Sequence, residues 1–344
     1  MRSLVTGANG FVGSAVIRCL LTAGHEVRCL IRPGSDQTNL EGLPVEISEG
    51  DLRDIASLKR AITNCENLFH VAADYRLWVP DPETMYDINV KGTQELILAA
   101  IESDISRIIY TSSVATLGIN SDGSAADEET PSSLIEMTGH YKRSKFLAEQ
   151  VVQHLTNKYK LPLVIVNPST PIGPRDIRPT PTGRIVLDTL CGRMPAYMNT
   201  GLNIAHVDDI AHGHLLAYMH GKFGERYILG GENMNLVQIL QIIDEICNKK
   251  VKRINIPMPL IFPIAWIMEK IAIVTNTQPR ASIDSIRMAN KKMFFSSEKA
   301  TRELGYQYRP SAEAIKDAVT WFQNNGYCSS SGNIHSHTRK KFPV

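Results

Sequence analysis

Short runs rich in Val, Ile and Leu alternate with longer stretches of helical period over the first half of the chain. "SLVTG", "EVRCLIR", "VEIS", "NLFHVAA", "SRIIYTSS" and "LPLVIVNP" read as strands. Between them, "FVGSAVIRCLLTAG", "DIASLKRAI", "PETMYDINVKGTQELILAAIES" and "GHYKRSKFLAEQVVQHLTNKY" carry apolar residues three and four apart, the repeat of an amphipathic helix. Nearly continuous apolar strands alternating with helices predict an α/β fold: a doubly wound parallel sheet covered on both faces, of the Rossmann type. After Pro168 the rhythm changes. "NPSTPIGPRDIRPTPTG" holds five prolines and reads as a stiff loop. Helices are predicted at about 183–192, 207–220, 235–249, 259–274, 281–290 and 311–325, with one strand, "ERYILGG", among them. This divides the chain into a dinucleotide-binding part (1–167 and 203–230), a smaller, mostly helical substrate-binding part (168–202 and 231–328) and a polar, disordered tail (329–344).

Composition narrows the function classes. The 344 residues are 43% hydrophobic and 21% charged, enough apolar content for a large core. A formal net charge of +2 offers no electrostatic case for a nucleic-acid partner. Six scattered cysteines without a C-x-x-C pair read as reduced thiols, and with no leader-like start this predicts a cytoplasmic protein. The most apolar stretch, 257–276, is broken by Pro263 and by Glu269-Lys270, so no transmembrane segment is expected. It reads as packing in the core or against a second copy, with a surface for a lipid-linked substrate as the alternative. Clustered histidines at 206, 212, 214 and 220 lack ligand spacing, so no metal is expected.

"TGANGFVG" sets Gly7, Gly10 and Gly13 between the first strand and first helix. A tight turn, close backbone approach and a helix N-terminus suit a pyrophosphate. The second strand ends at Arg32, where an NAD site usually has a carboxylate; a guanidinium suits a 2′-phosphate. NADP(H) is therefore favoured, with NAD(H) the alternative. Ser112 and Ser113 fall at the end of a strand, and Tyr141 and Lys145, four apart, share one face of the next helix. A tyrosine normally titrates near ~10, so the expectation is that the Lys145 cation favours its phenolate, making Tyr141 an acid/base for hydride chemistry.

Together "TGANGFVG", "DL", "HVAA", "NVKGT", "YTSSVATLG" and "YKRSK" resemble the extended short-chain dehydrogenase/reductases, over nearly all of residues 1–328. The resemblance implies Ser113, Tyr141 and Lys145 as the catalytic set. It implies a cofactor site of Gly7, Asn9, Gly10, Phe11, Val12, Gly13, Arg32, Asp51, Leu52, Ala72, Ala73, Asn89, Thr111, Tyr141, Lys145 and Pro168. Within the superfamily the chain looks like the dihydroflavonol 4-reductase-like branch. "AADYRLWVPDP", "NPSTPIGPRDIRPTPTGRIV", "GRMPAYMNTGLNIAHVDDIAHGHLLA" and "RYILGGENM" resemble most the hopanoid-associated sugar epimerases. That likeness implies a small-molecule substrate that is sugar-linked or lipid-linked, a protein peripheral to a membrane, and compatibility with a homodimer. Val114 and Ala115 stand where the related sugar dehydratases carry an Asp-Glu pair, which argues against dehydration. Three readings follow: an NADP(H)-dependent reductase of a ketone on a sugar-like or polycyclic substrate, an epimerase with tightly held NAD, and a non-catalytic NADP(H) sensor. Arg76, Trp78, Ser113, Thr170 and Arg175 are the substrate-side candidates, with Asp176 and Arg178 weaker ones.

Overall fold

A computed structural model describes residues 1–79, 81–275, 283–289 and 291–328. The expected tail at 329–344 lies outside the described residues.

In chain order the strands are β1 (Arg2–Thr6), β2 (Glu26–Ile31), β3 (Val45–Glu49), β4 (Asn67–His70), β5 (Arg107–Thr111), β6 (Leu163–Pro168), β7 (Thr170–Ile172), β8 (Ala196–Tyr197), β9 (Gly201–His206), β10 (Arg226–Leu229), β11 (Glu232–Asn235), β12 (Ile254–Asn255) and β13 (Lys292–Met293). The α-helices are α1 (Phe11–Thr22), α2 (Ile55–Ile62), α3 (Glu83–Tyr86), α4 (Thr93–Glu102), α5 (Gly139–Tyr159), α6 (Pro181–Leu190), α7 (Val207–His220), α8 (Leu236–Ile246), α9 (Met258–Thr275), α10 (Ile283–Ala289), α11 (Glu298–Leu304) and α12 (Ser311–Asn324).

Seven strands form the main sheet in the order β10-β6-β5-β4-β1-β2-β3. Every pairing in it is parallel. Strands β4 and β6 are buried at every position, as a sheet covered on both faces requires. Edge strand β3, "VEISE", is largely open to solvent. On one face α1 and α7 pack with Tyr227, Leu304 and Tyr306. On the other, α2, α4 and α5 bury Leu58, Leu96, Ile97, Ala148 and Val152. The strand order reverses between β1 and β4, which opens a crevice at the carboxyl edge there.

The long helix expected over 82–103 is real but irregular. α3 and α4 are joined by a π-helical turn, Asp87–Gly92, which places Asn89 inward. Such turns recur at functional sites because they re-aim side chains.

A second, smaller layer lies beyond the carboxyl edge. β9 is its centre, with β7 and β13 parallel to it and β11 antiparallel. Helices α6, α8 and α12 cover it through Ile172, Val186, Leu190, Ile243, Ile315 and Phe322. The proline-rich stretch is therefore only partly loop: Thr170–Ile172 pairs with β9. A three-residue strand containing proline leaves too short an alternation to recognise. β9 escaped the periodic reading because Asn203 breaks its apolar run. That side chain is 1% exposed and donates to Gly231 O (2.9 Å) and Phe295 O (3.1 Å), pinning three segments together. α11 buries only Ala300 and Leu304. It returns the chain to the main sheet.

Two expectations are corrected. Cys191 and Cys328 are not reduced thiols: a disulfide joins them, with Cα atoms 5.7 Å apart, tying the end of α6 to the residues after α12. Cys19, Cys29, Cys65 and Cys247 are free, and burial pushes the thiols of Cys19 and Cys29 up to about 11 and about 12. Nor is α9 core packing throughout. Ala265 and Ala272 are buried, whereas Leu260, Trp266, Ile267 and Ile271 stand more than half exposed along one stripe. No helix among the described residues is long and apolar enough to cross a membrane.

Candidate active site

The turn after β1 is built by exclusion of side chains. Gly7 has φ +66°, and a Cβ there would meet the backbone of Ala72 at 2.8 Å. Gly10 N donates to Gly7 O at 3.0 Å. A Cβ on Gly13 would strike the Gly7 carbonyl oxygen, so only glycine lets α1 start this close to the strand. The first N–H groups of α1, from Phe11, Val12 and Gly13, open toward the crevice without intrahelical partners. Asn9 braces the turn from the side: its Nδ2 donates to Asp36 O (2.8 Å), and its carbonyl accepts from Asn39 Nδ2 (3.3 Å). Beneath, Thr6 Oγ1 accepts from the N–H of Val71 (3.2 Å) and Ala72 (3.1 Å), joining β1 to the end of β4. His70 bridges Thr6 Oγ1 (2.7 Å) and Thr93 Oγ1 (2.9 Å). It is fully buried, and burial followed by the Lys145 charge lowers its pKa to about 3.

Arg32 follows β2 directly. It is exposed and makes no side-chain hydrogen bond or ion pair among the described residues. Asp51 is occupied: Arg53 donates Nε and Nη2 to it, each at 2.9 Å, and holds its carboxyl below the usual range, with a smaller contribution from Arg32. Leu52 is buried against Gly92. A turn that excludes every Cβ, free helix N–H groups and an unpaired cation at the end of the second strand together fit a dinucleotide, with Arg32 available to a 2′-phosphate.

Ser113 leads a single 3-10 turn, Val114–Thr116, at the carboxyl end of β5. Its Oγ accepts from Ala115 N (3.1 Å), and its carbonyl accepts from Thr116 Oγ1 (2.9 Å) and Asn167 Nδ2 (3.0 Å). Tyr141 lies in the first turn of α5, the helix packed against that 3-10 turn. Lys145 is 2% exposed and lies one turn on, donating to Thr111 O (2.9 Å) and Tyr110 Oη (3.1 Å). Asn89 Nδ2 donates to Ser144 Oγ (2.9 Å), which donates to Tyr141 O (2.9 Å), while Asn89 Oδ1 accepts from Asp74 N (2.7 Å). The π-turn thus fastens the start of α5 to the loop after β4.

One electrostatic expectation is not met. Burial raises the Tyr141 pKa, with the nearby Ser113 hydroxyl working against it. The ammonium is turned toward Tyr110 and Thr111, and its own pKa falls to about 8 through burial, against which the Glu149 carboxylate works.

The substrate-side candidates scatter. The Arg76 guanidinium is already bidentate on Asp74. Trp78 is half-buried. Thr170 sits in β7 opposite Ile204. Arg175 is ion-paired to Asp208 at the start of α7, and its carbonyl accepts from Asn39, so it braces the nucleotide turn. Pro168 ends β6 beside Leu229, Ala72 and Ala73 line the end of β4, and the Thr111 hydroxyl bonds His214 on α7 at 3.0 Å. Asp176 is 2% exposed, accepts from Thr180 N (2.9 Å) and Oγ1 (2.9 Å), and burial raises its pKa to about 6. Sequence reasoning missed Tyr75, which lies within electrostatic reach of Asp176, Arg178 and Tyr141. It also missed Thr6, His70, Tyr110 and Glu149; His70, in "HVAA", had a signal in its place between two alanines at a strand end.

A doubly wound parallel sheet with a glycine turn at its switch point is the architecture of a dinucleotide-binding protein. The model of the NAD dependent epimerase/dehydratase family matches residues 3–230, and the chain belongs to that family. It is 44% identical to a putative dihydroflavonol 4-reductase of Synechocystis, covering 94% of this chain and 95% of that one. It is 36% identical to sterol demethylase protein B of Methylococcus capsulatus, over 95% and 99% of the two chains. Among solved structures, that of gox2253 superposes with a TM-score of 0.86 at 51% identity, over 95% of this chain and 99% of that one. These relatives place the chain in the extended, dihydroflavonol 4-reductase-like branch.

Proposed function

We propose that the protein is an NADP(H)-dependent reductase acting on a ketone of a sugar-like or polycyclic substrate. The observation that carries this reading is the packing of the Ser113 turn, at the carboxyl end of β5, against α5, the helix that bears Tyr141 and Lys145. Gly7, Gly10, Gly13 and the N–H groups of α1 would hold the pyrophosphate, Arg32 the 2′-phosphate, and Ala72, Ala73 and Pro168 would border the nicotinamide. That ring, when bound, supplies or accepts the hydride. Ser113 holds the substrate oxygen by a hydrogen bond, and Tyr141 donates the proton that the developing alkoxide takes up. A tyrosine whose pKa is raised by burial keeps its proton until the alkoxide draws it, which suits reduction better than oxidation. Lys145 keeps positive charge beneath the site at neutral pH.

Epimerisation with tightly held NAD is the second reading, favoured by the family model. It uses the same three residues. Denaturing purified protein and identifying any released nucleotide separates the two: an empty site that takes up NADPH supports the reductase, and co-purified NAD the epimerase. Loss of turnover in Tyr141→Phe with cofactor affinity intact supports both; retained turnover removes Tyr141 from both, and nucleotide binding without turnover in the unsubstituted protein would suit a binding-only protein.

The exposed stripe of α9 supports a lipid-linked substrate and a protein peripheral to a membrane. Lys270 lies over the Trp266 ring at 5.7 Å, a pairing suited to a membrane interface. Its neighbour α10 brings Asp284 against Gly139, two residues before Tyr141, so the α9–α10 pair reaches the start of α5. Co-flotation with anionic vesicles and a blue shift of Trp266 emission test this. A dimer in sedimentation, disrupted by Leu260→Asp, would assign the stripe to a second copy.

A further inference from the structure

Glu149 is a carboxylate that the proposed chemistry leaves unused, yet it is 3% exposed on α5, one helical turn beyond Lys145. Five side chains converge on it. Oε2 accepts from Ser112 Oγ in a short hydrogen bond, from Thr116 Oγ1 at 2.9 Å and from Asn167 Nδ2 at 3.1 Å. Oε1 accepts from Arg226 Nη1 at 3.2 Å and from Gln153 Nε2 at 3.4 Å. Burying a carboxylate costs several kcal/mol unless its lone pairs are filled, so so complete a set of donors marks a built site rather than a chance burial.

Two features tie this carboxylate to the crevice. Thr116 Oγ1 and Asn167 Nδ2 are also the donors to the Ser113 carbonyl, at 2.9 and 3.0 Å. The single Thr116 hydroxyl proton is shared between the two acceptors, while the amide has a proton for each. Ser112, the third donor on Oε2, precedes Ser113. The turn that presents Ser113 therefore hangs from Glu149. The second feature is depth. Lys145 and Glu149 lie one turn apart on α5; Lys145 Nζ donates to Tyr110 Oη at 3.1 Å, and Ser112 Oγ donates to Glu149. Tyr110 is 1% exposed and Ser112 6%, so the ammonium and the carboxylate communicate with little screening by water.

We infer that Glu149 is a positioning residue that sets Ser113 in place and serves, one turn away on α5, as the counter-ion that keeps Lys145 protonated. The inference rests on the assignment of Ser113 and Lys145 to the reaction only for its functional meaning; the counter-ion role is measurable without turnover. The ionisable groups facing Lys145 are His70 on β4, Tyr110 on β5, and Tyr141 and Glu149 on α5. His70 stays neutral across the working range because its pKa is about 3, and both tyrosines are pushed upward by burial. That leaves Glu149 as the negative charge in this set.

The test is the pH dependence of Lys145 acylation by acetic anhydride, followed by peptide mass spectrometry on the full-length protein. In the unsubstituted protein Lys145 should become reactive near pH 8. In Glu149→Gln, which keeps the size and removes the charge, the curve should move to lower pH. At pH 7 the free-amine fraction of Lys145 should then rise several-fold. Lys142, also buried and with a pKa lowered to about 8 by burial and by Lys291, is the internal reference and should not move. Thr116→Val removes a donor to the Ser113 carbonyl and no charge, so Lys145 should titrate as before, while turnover falls by about 10²-fold, the scale of a small misplacement of a reacting group. An unshifted Lys145 in Glu149→Gln, or a Lys142 that shifts equally, overturns the inference. Should Glu149→Gln fail to fold, Glu149→Asp keeps the charge but draws it back by one methylene, so the Lys145 curve should move in the same direction by less, and an unaltered curve there would overturn the counter-ion role. Failure of Tyr141→Phe to abolish turnover would leave these titrations untouched, so the two assignments fall separately.

Discussion

Replacing Arg32 with alanine is the sharpest test of which dinucleotide the crevice takes. The side chain stands exposed after β2 with no acceptor among the described residues, so its removal disturbs no internal bond. A hydrogen bond to a charged group contributes about 1.5–3 kcal/mol. Exposure brings screening by solvent and salt, which sets the expectation at the low end, about 1.4 kcal/mol, or roughly tenfold in Kd. NADPH affinity should therefore fall about tenfold in Arg32→Ala, read by titration calorimetry at fixed ionic strength. NADH affinity should change by less than about twofold, because a 2′-hydroxyl gives a guanidinium little to hold. The NADPH loss should shrink as salt is raised, as a partly exposed charge pair requires. Equal losses for both cofactors, or an unsubstituted protein that prefers NADH, would refute the assignment of Arg32 to a 2′-phosphate.

Four further outcomes are expected. Tyr141→Phe should lower kcat by about 10²–10⁴-fold, the usual contribution of a general acid, with dinucleotide Kd nearly unchanged in the same preparation. Gly13→Val should displace α1 from the Gly7 carbonyl at a cost of about 1–3 kcal/mol in denaturant titrations, and should weaken dinucleotide binding more than Gly24→Ala, where a Cβ meets nothing. Reducing the Cys191–Cys328 bond, which closes a separation of 137 residues, should remove about 2–4 kcal/mol and lower Tm by several degrees; an unchanged melt would show that the link adds nothing to stability. His70 and His214 have folded-state pKa values of about 3 and about 4, below the ordinary 6.5, so the unfolded chain binds more protons between those values. Their contribution is complete above about pH 6.5 and drains away toward pH 4, and a Tm–pH slope in His214→Gln no shallower than the parent's would contradict it.

How much of this could be read before the fold was known depends on whether one segment carried the signal alone. α5 and α7 keep their apolar repeat from cap to cap, and their ends match the periodic reading at 139–159 and 207–220. The glycine turn was legible because each glycine has its own steric reason. β7, β9 and β11 were not: β7 and β11 are short, Asn203 interrupts β9, and all three are stabilised by partners far along the chain. In the site, spacing put Tyr141 and Lys145 on one face of α5 but carried no information on depth. The lysine reaches under β5, where Tyr110 and Thr111 engage it, and the expected lowering of the tyrosine pKa is absent. Glu149 was invisible for a related reason: an acid in "LAEQVVQ" resembles any solvated helix position until Ser112, Thr116, Asn167 and Arg226 close around it. The cysteines misled because neither Cys191 nor Cys328 has a sequence neighbour that announces a pair.

The outer layer is stitched from separate returns of the backbone: residues 170–206 arrive after β6, 232–246 after β10, and 311–328 after α11 has revisited the main sheet. Exchanging this layer with a relative's would thus need several splice junctions, each beside a strand of the nucleotide-binding sheet. Grafting a single block would tear Asn203 from Gly231 and Phe295. Retargeting such an enzyme is better attempted by point changes in the loops facing the crevice than by recombination of whole modules.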